Sequence, residues 1–311
     1  MRPEARLYQD ARHRISLFRA PGGSAKLVLC FEPGRDRMDG FQAPACPRFA
    51  ERLGIDAITV QAARRDWFLT EDGARLGAVL AEAVAGYGSV TVTGFSMGGY
   101  GALLYSGIAR ASRALLVSPQ YCIDPAVAPW DPGRHGKFAR IGLPMPRPEQ
   151  RGNRALAGVL LYDPRIAADH AHAAHILAGF PRLRPIALPY AGHPASAVIG
   201  ATAGIGQLAE MLVEDRLDAV AIRALHRAGR RGDDSYRLNL ARAVAQRHAA
   251  RALPVLRELA WHAAPAIRLE AGLALLTLDE RAGTRALQRL LADHHKAPAS
   301  WLRRIAKALD H

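Results

Sequence analysis

The chain has 311 residues, half of them apolar, with 42 lysine and arginine residues against 28 aspartate and glutamate residues. This length favours two domains over one, and the apolar half can fill a sizeable core. The net charge of +14 comes almost wholly from arginines that are scattered along the chain and lie in no nucleic-acid-binding motif. We therefore expect no nucleic-acid partner.

No stretch of about 18 apolar residues occurs, which predicts that no segment spans a membrane. The first twenty residues also lack the apolar run of a signal peptide. The three cysteines, Cys30, Cys46 and Cys122, have no metal-ligand spacing and cannot all pair, which is typical of a reducing compartment. We therefore expect a cytoplasmic protein that needs neither a metal ion nor a cofactor.

Strand and helix patterns alternate over about the first two hundred residues, which predicts a mostly parallel sheet covered by helices on both faces. Pro21-Gly22-Gly23 predicts a hairpin or another tight connection between the first two strands. Six prolines interrupt the segment 121–150, which we interpret as a long loop over the site. The predicted strands are 14–18, 26–31, 57–60, 89–95, 114–118, 157–162 and 185–190, and the predicted helices are 47–53, 71–85, 97–110, 166–178 and one from about residue 195.

From about Gly206 onward the strand patterns stop, and Ala, Leu and Arg recur at helical spacing. Arg237-Leu238 recurs as Arg268-Leu269, an offset of 31 residues, and a second pair of similar segments is offset by 34. Such a period predicts paired helices similar to tetratricopeptide repeats, with an ordinary helical bundle as the alternative. We predict an α/β domain over 1–205 and a helical domain over 206–311 that offers a surface for a protein partner.

The segment Gly94-Phe95-Ser96-Met97-Gly98 has the G-x-S-x-G spacing of a nucleophile elbow. In that motif the serine lies on a sharp turn between a strand and a helix, so the residues two before and two after it cannot carry bulk. A serine hydroxyl needs a base to become a nucleophile, and the base needs a carboxylate to orient it. Ser96 is therefore the predicted nucleophile, with a helix cap as the alternative role.

The base and the acid are expected on loops that follow later strands. His193 follows the last predicted strand in a turn of small residues and is the predicted base. Asp163 directly follows the strand before it and is the predicted acid, although Asp-Pro before a helix is also a common helix cap. Asp169 and Asp124 are the alternatives for the acid.

An oxyanion hole requires backbone N–H groups beside the nucleophile. The N–H of Met97 is the first expected donor, and Phe31 or Glu32 is expected to supply the second, because Pro33 has no N–H. Trp67 and Tyr121 lie in loops at the same predicted edge of the sheet, where they are candidates for substrate contact. No histidine here has the acidic or cysteine companions that a metal site needs.

With Ser96, Asp163 and His193 in this order, the first two thirds of the chain resemble the α/β-hydrolase superfamily. The strings GFSMGGYGAL, YDPRIAADHAHA and PYAGHPA resemble a bacterial branch of uncharacterised hydrolases, some with helical repeats behind the catalytic domain. The serine motif is also similar to that of acetyltransferase-like proteins of the accessory Sec system, which act on glycoprotein sugars. The resemblance implies a catalytic α/β-hydrolase domain that acts on an ester or acyl substrate, carbohydrate-linked in the second case.

Three functions remain open from the sequence. The first is a serine hydrolase of the esterase type that acts through an acyl-enzyme. The second is an acyltransferase that passes the acyl group to a hydroxyl of a glycan or glycoprotein. The third is a non-catalytic scaffold with a helical interaction domain, which an intact set of serine, acid and histidine disfavours.

Overall fold

The computed structural model describes residues 4–71, 73–202 and 204–309. Eight strands form one sheet in the order β1-β2-β4-β3-β5-β6-β7-β8. The first two pairings, β1 with β2 and β2 with β4, are antiparallel, and every later pairing is parallel. The strands are β1 (Ala5–Gln9), β2 (His13–Phe18), β3 (Lys26–Phe31), β4 (Asp56–Ala62), β5 (Ser89–Phe95), β6 (Arg113–Val117), β7 (Ala157–Tyr162) and β8 (Leu183–Ala187).

Helices cover both faces of this sheet, and further helices follow the last strand. The strands β3 and β7 are nearly continuous apolar runs because both of their faces are largely buried, whereas β5 also carries Thr91 and Thr93. The helices are α1 (Arg48–Arg52), α2 (Gly73–Val84), α3 (Met97–Tyr105), α4 (Pro132–Phe138), α5 (Ala167–Gly179), α6 (Ala197–Gly200), α7 (Gly204–Val213), α8 (Ala219–Gly229), α9 (Asp234–Val244), α10 (Ala249–Leu259), α11 (Pro265–Leu276), α12 (Glu280–Asp293) and α13 (Ala299–Leu309).

The two faces of the sheet pack against different helices. On one face Leu76 of α2, Leu103 of α3 and Ile176 of α5 share a core with the strands. On the other face α1, α6 and α7 cover the sheet, as the buried side chains of Val198 and Leu208 show. The predicted mostly parallel sheet with helices on both faces, followed by a helical C-terminal region, is therefore confirmed.

Two local expectations differ from the structure. The strands on either side of Pro21-Gly22-Gly23 do not form a hairpin, because β4 lies between β2 and β3. The segment 121–150 is not an open loop: it contains α4 and a turn of 3-10 helix at Pro148–Gln150, and Cys122 and Ile123 are fully buried in the core. Proline prevents long elements here without preventing burial.

The C-terminal helices stack in sequence and also contact the sheet-bearing part of the chain. Helix α9 packs on α10 and α11, and α11 packs on α12 and α13. Ile222 of α8 and Tyr236 of α9 belong to the same buried cluster as the strands β6 to β8. The division of the chain near residue 205 and the likeness to tetratricopeptide repeats stay predictions. Within the described ranges, no helix is both long enough and apolar enough to cross a membrane.

Gly229 tests the contact between α8 and α6. A Cβ at Gly229 would lie 1.8 Å from the carbonyl oxygen of Val198, whereas a Cβ at the nearby Gly232 would meet nothing closer than 3.9 Å. We expect Gly229→Ala to lower the free energy of unfolding by about 1 to 3 kcal/mol, despite the better helix propensity of alanine. Denaturant unfolding measures this change, with Gly232→Ala as the matched control, and equal stability of the two variants would contradict the described packing.

Candidate active site

The candidate site lies at the edge of the sheet where the parallel strands end. Ser96 follows β5 and precedes α3, and its backbone has φ 52° and ψ −116°, a strained conformation for a residue with a side chain. A Cβ on Gly94 would lie 2.2 Å from the carbonyl oxygen of Gly98, and a Cβ on Gly98 would lie 2.3 Å from the carbonyl oxygen of Phe31. Both glycines are therefore required by close backbone packing, as the elbow motif predicts.

A line of hydrogen bonds connects Ser96 to a histidine and a carboxylate. The Oγ of Ser96 lies 2.9 Å from Nε2 of His193. Nδ1 of the same ring lies 2.9 Å from Oδ2 and 3.1 Å from Oδ1 of Asp169. The Asp169 side chain is only 2% exposed and that of His193 is 26% exposed, so the carboxylate is shielded while the base can be reached.

The structure corrects the expectation for the acid, because Asp169 lies beside His193 and Asp163 does not. Asp169 is in the first turn of α5, where the helix dipole favours a negative charge. Its buried face also carries Ala173 and Ile176, four and seven residues further on. A carboxylate on the apolar face of a helix was the available sequence signal, but the position of Asp163 directly after a strand favoured that residue.

Asp163 instead holds the loop that carries His193. Its Oδ1 accepts hydrogen bonds from the backbone N–H groups of Arg165 and Tyr190, at 2.9 Å and 3.2 Å. Its Oδ2 accepts from the N–H of Gly192 at 2.9 Å. Tyr190 and Gly192 both have positive φ, so this buried carboxylate fixes a turn of unusual shape. The contact with Arg165 also agrees with the alternative of a local cap.

Gln120 is a further polar group at the nucleophile. Its Nε2 donates to Oγ of Ser96 at 2.9 Å, and its Oε1 accepts from the indole N–H of Trp67 at 2.7 Å. Because the indole N–H can only donate, it fixes which end of the amide faces Ser96. The loop position predicted a substrate contact for the adjacent Tyr121, whereas no role was predicted for Gln120.

Trp67 is itself held by a buried pair of polar side chains. Oδ1 of Asp66 accepts the backbone N–H of Phe68 at 3.0 Å and lies 3.1 Å from Nε2 of His13. Trp67 and Phe68 both adopt positive φ, at 53° and 58°. Such backbone strain persists only where surrounding contacts impose it, so the His13–Asp66 pair positions the indole that orients Gln120.

The expected oxyanion donors are only partly available. The N–H of Glu32 already donates to the carbonyl oxygen of Val60 at 3.0 Å, which corrects its expected role. Phe31 is the last residue of β3 and lies within the ladder between Val60 and Gly94. Met97 is the first residue of α3, where backbone N–H groups have no partner within the helix. The amide of Gln120, whose Nε2 donates to Oγ of Ser96, is a further N–H group beside the serine.

Trp67 and Tyr121 do not line an open surface, since their exposed fractions are 2% and 5%. The Tyr121 ring stacks on His175, and its hydroxyl donates to Glu149 at 2.8 Å. Burial, together with the bond to Glu149, raises the pKa of Tyr121 to about 12, so the phenol stays a donor. The structure therefore gives both residues supporting positions rather than the expected contact with substrate.

A further Asp–His pair, formed by Asp131 and His172, supports the segment 121–150. Nε2 of His172 lies 3.0 Å from Oδ2 of Asp131, and Nδ1 accepts the N–H of Tyr121 at 3.2 Å. Burial opposes the charge on Asp131, but the bond from His172 and the nearby Arg134 outweigh it and lower the pKa of this carboxyl. Within the described residues, no three His, Cys, Asp or Glu side chains are grouped as a metal site requires.

Two depressions border the site. One is a largely apolar cavity of about 360 Å³ on the α7 side of the sheet, lined in part by Glu32 and Phe95. The other, which we term the His193 groove, has a volume of about 610 Å³ and is lined by His193, residues of its loop, and the α9 residues Ser235, Asn239 and Arg242. The helical region thus forms one wall of the groove that reaches the candidate base.

No protein-family model and no curated protein matches this sequence. Solved structures of similar architecture include the capsule O-acetyltransferase of Neisseria meningitidis serogroup A, at 12% identity and TM-score 0.45 over 60% of this chain and 86% of that one. Est1E from Butyrivibrio proteoclasticus is 14% identical, with TM-score 0.45 over 70% of this chain and 99% of that one. An esterase of Pyrococcus furiosus is 13% identical, with TM-score 0.46 over 70% and 91% of the two chains.

The two candidate acids are separated by matched substitutions to asparagine. Asp169→Asn would remove the acceptor that holds Nδ1–H of His193 and favour the wrong tautomer, so we expect kcat on activated esters to fall about a thousandfold or more. Asp163→Asn keeps the cap on Arg165 but turns an amide donor toward another N–H. We therefore expect a loss of about 1 to 3 kcal/mol in unfolding free energy and a smaller loss of kcat. A larger kcat loss in Asp163→Asn than in Asp169→Asn would return the acid role to Asp163.

Proposed function

We propose that this chain is a serine-dependent ester hydrolase or acyltransferase that works through an acyl-enzyme on Ser96. The observation that carries the proposal is the unbroken line from Asp169 through His193 to Ser96, with the serine on a strained turn. A helix cap would require neither a histidine within hydrogen-bond reach of its hydroxyl nor a buried carboxylate behind that histidine.

In the proposed reaction, Oγ of Ser96 attacks the ester carbonyl while Nε2 of His193 accepts the hydroxyl proton. Asp169 accepts the hydrogen bond from Nδ1–H and stabilises the imidazolium that forms. The C–O bond to the alcohol then breaks, and the proton on Nε2 passes to the departing alkoxide. Water or a second hydroxyl is activated by the same nitrogen and attacks the acyl-enzyme, which restores Ser96.

The negative charge on the tetrahedral oxygen requires donors that are in place before the reaction. The N–H of Met97 lies at the start of α3, and the Gln120 amide is already hydrogen-bonded to the nucleophilic oxygen at 2.9 Å. We assign the two groups together as the oxyanion hole. Trp67 is then a positioning residue, because it acts on the reaction only through the orientation of Gln120.

Hydrolysis and acyl transfer share every step up to the acyl-enzyme and differ only in the hydroxyl that attacks it. The His193 groove lies beside the candidate base, and its volume of about 610 Å³ accommodates a larger acceptor as well as water. The scaffold alternative leaves the hydrogen-bonded line and the strained serine without a purpose. The proposal therefore includes both hydrolysis of the acyl-enzyme and transfer of its acyl group to another hydroxyl.

Ser96→Ala tests the nucleophile directly. We expect kcat on a short activated ester such as p-nitrophenyl acetate to fall about a thousandfold or more, because the acyl-enzyme cannot form. Ser112→Ala is the matched control, since Ser112 is an exposed serine that precedes β6 at the opposite edge of the sheet. Turnover by Ser96→Ala close to that of Ser112→Ala would refute the proposed function.

The oxyanion assignment has its own pair of variants. Gln120→Leu should lower kcat about a hundredfold to a thousandfold with little change in KM, because the lost donor acts mainly on the charged intermediate. Trp67→Phe keeps an aromatic ring but removes the N–H that fixes the amide, and we expect a smaller loss, about tenfold, also in kcat. If Gln120→Leu kept kcat within about threefold of the unmodified protein, the second donor would have to lie elsewhere.

A further inference from the structure

The His193 groove does not end at the candidate base but continues along the C-terminal helices. A second depression of about 640 Å³ shares Arg165 and Arg242 with it and extends past Arg247 to Thr277 in the loop after α11. Because the two depressions share these lining residues, they adjoin each other, and the name His193 groove covers both from here on. Its far wall consists of residues that follow the last strand of the sheet.

Positive charge dominates this groove. Three guanidinium groups line it, those of Arg165, Arg242 and Arg247, and all three residues are exposed. The one carboxylate among the lining residues is Asp163, which is 1% exposed and bound to backbone N–H groups. The groove thus offers an anion three cationic side chains and no accessible carboxylate from its own lining.

The neighbouring acidic residue does not cancel this charge. Glu270 contacts Arg242 at 3.0 Å, but it also forms an ion pair with Arg304, so one carboxylate is shared between two guanidinium groups. Arg165 is held in place by stacking at 5.2 Å over the Tyr190 ring and by a 2.9 Å bond to the Tyr190 hydroxyl. Both arginines are therefore oriented in the absence of a ligand.

Helix α9 is fixed against the loop of the candidate base. Nδ2 of Asn239 donates to the carbonyl oxygen of Tyr190 at 3.2 Å, three residues before His193. Ser235, Asn239 and Arg242 are spaced by four and three residues, which places them on one face of α9. The three residues line the groove, so the helical region supplies polar and cationic groups beside the loop that carries His193.

The chemistry at His193 determines which part of an ester would occupy the groove. In the proposed reaction Nε2 gives its proton to the departing alkoxide, so the alcohol portion must lie on the histidine side of Ser96. An acyl acceptor gives its hydroxyl proton to the same nitrogen, so it would occupy the same place as the departing alcohol. The acyl portion lies on the other side of the alcohol oxygen, away from the His193 groove.

We propose that the His193 groove binds an alcohol that carries carboxylate or phosphate groups, as the leaving group of the ester or as the acceptor of the acyl group. The proposal rests on the proposed function, since it uses the direction of proton transfer at His193. Planar guanidinium groups bind both carboxylates and phosphates through paired N–H donors. Arg165, Arg242 and Arg247 would together meet the anionic groups of the alcohol.

A matched pair of esters tests this assignment. The first is 5-acetoxyisophthalate, whose alcohol portion carries two carboxylates, and the second is its neutral dimethyl ester. We expect the full-length protein to show a higher kcat/KM for the dianion at low salt, and the preference to shrink as ionic strength rises. The variants Arg242→Ala, Arg247→Ala and the double variant should reduce the ratio of the two kcat/KM values, by about tenfold for the double variant.

Arg223→Ala is the control, because Arg223 is an exposed arginine of α8 outside the groove lining, and its ratio should match that of the unmodified protein. A further substrate, a monosuccinate ester of a neutral phenol, carries its charge on the acyl side and should show no dependence on Arg247. Because Arg242 also pairs with Glu270, circular dichroism and thermal melting check the fold of Arg242→Ala. If that variant has lost its fold, Arg247→Ala alone decides the outcome.

The two proposals fail in different ways. If neither ester is cleaved in a Ser96-dependent manner, the proposed function fails. If both esters are cleaved through Ser96 but the ratio is the same in every arginine variant, the groove assignment is overturned while the function stands. Acetyl esters of phosphorylated phenols carry phosphate in place of the carboxylates. Comparing the two kinds of ester shows which anion gives the larger ratio of kcat/KM values and is therefore preferred.

Discussion

The candidate site depends on the close contact of two backbones at the elbow. Ser96 keeps its positive φ only because α3 turns back onto the ends of β3 and β5, and this contact leaves no space for a Cβ at Gly94 or Gly98. Met97 directly follows Ser96 as the first residue of α3, so its backbone N–H has no partner within the helix. One steric constraint therefore fixes both the turn that carries Ser96 and the start of α3, on which the proposed catalysis depends.

The loops that carry Trp67 and His193 are held by buried polar contacts rather than by the sheet itself. The pair His13 and Asp66 fixes the strained loop of Trp67, and Asp163 fixes the loop of His193. Asp163 accepts three backbone N–H groups and Asp66 accepts one, and such contacts offset the energetic cost of the unusual turns. The result is a site in which base and oxyanion donor are each anchored from a different strand end.

The sheet followed from local patterns in the sequence, and the close packing at Gly94 and Gly98 followed from the spacing of the motif. The position of His193 after a strand predicted its place beside Ser96, and its role as the base stays a proposal. The sequence indicated Asp169 only as an alternative to Asp163, since an inward-facing helical position is apparent only once the rotation of α5 on the sheet is known. It did not predict Gln120, because the hydrogen bond to Trp67 joins residues 53 positions apart. The arginines of α9 and the loop after it seemed scattered in the sequence, and only the packing of α9 beside His193 brings two of them into one groove.

The most direct test of the account is covalent labelling of the full-length protein by a fluorophosphonate, followed by intact-mass measurement and peptide mapping. The account predicts a single phosphonyl adduct on Ser96, formed much more slowly in His193→Ala and Asp169→Asn and not at all in Ser96→Ala. An adduct on another residue, or labelling of Ser96 at an unchanged rate without His193, would contradict the proposed catalytic line.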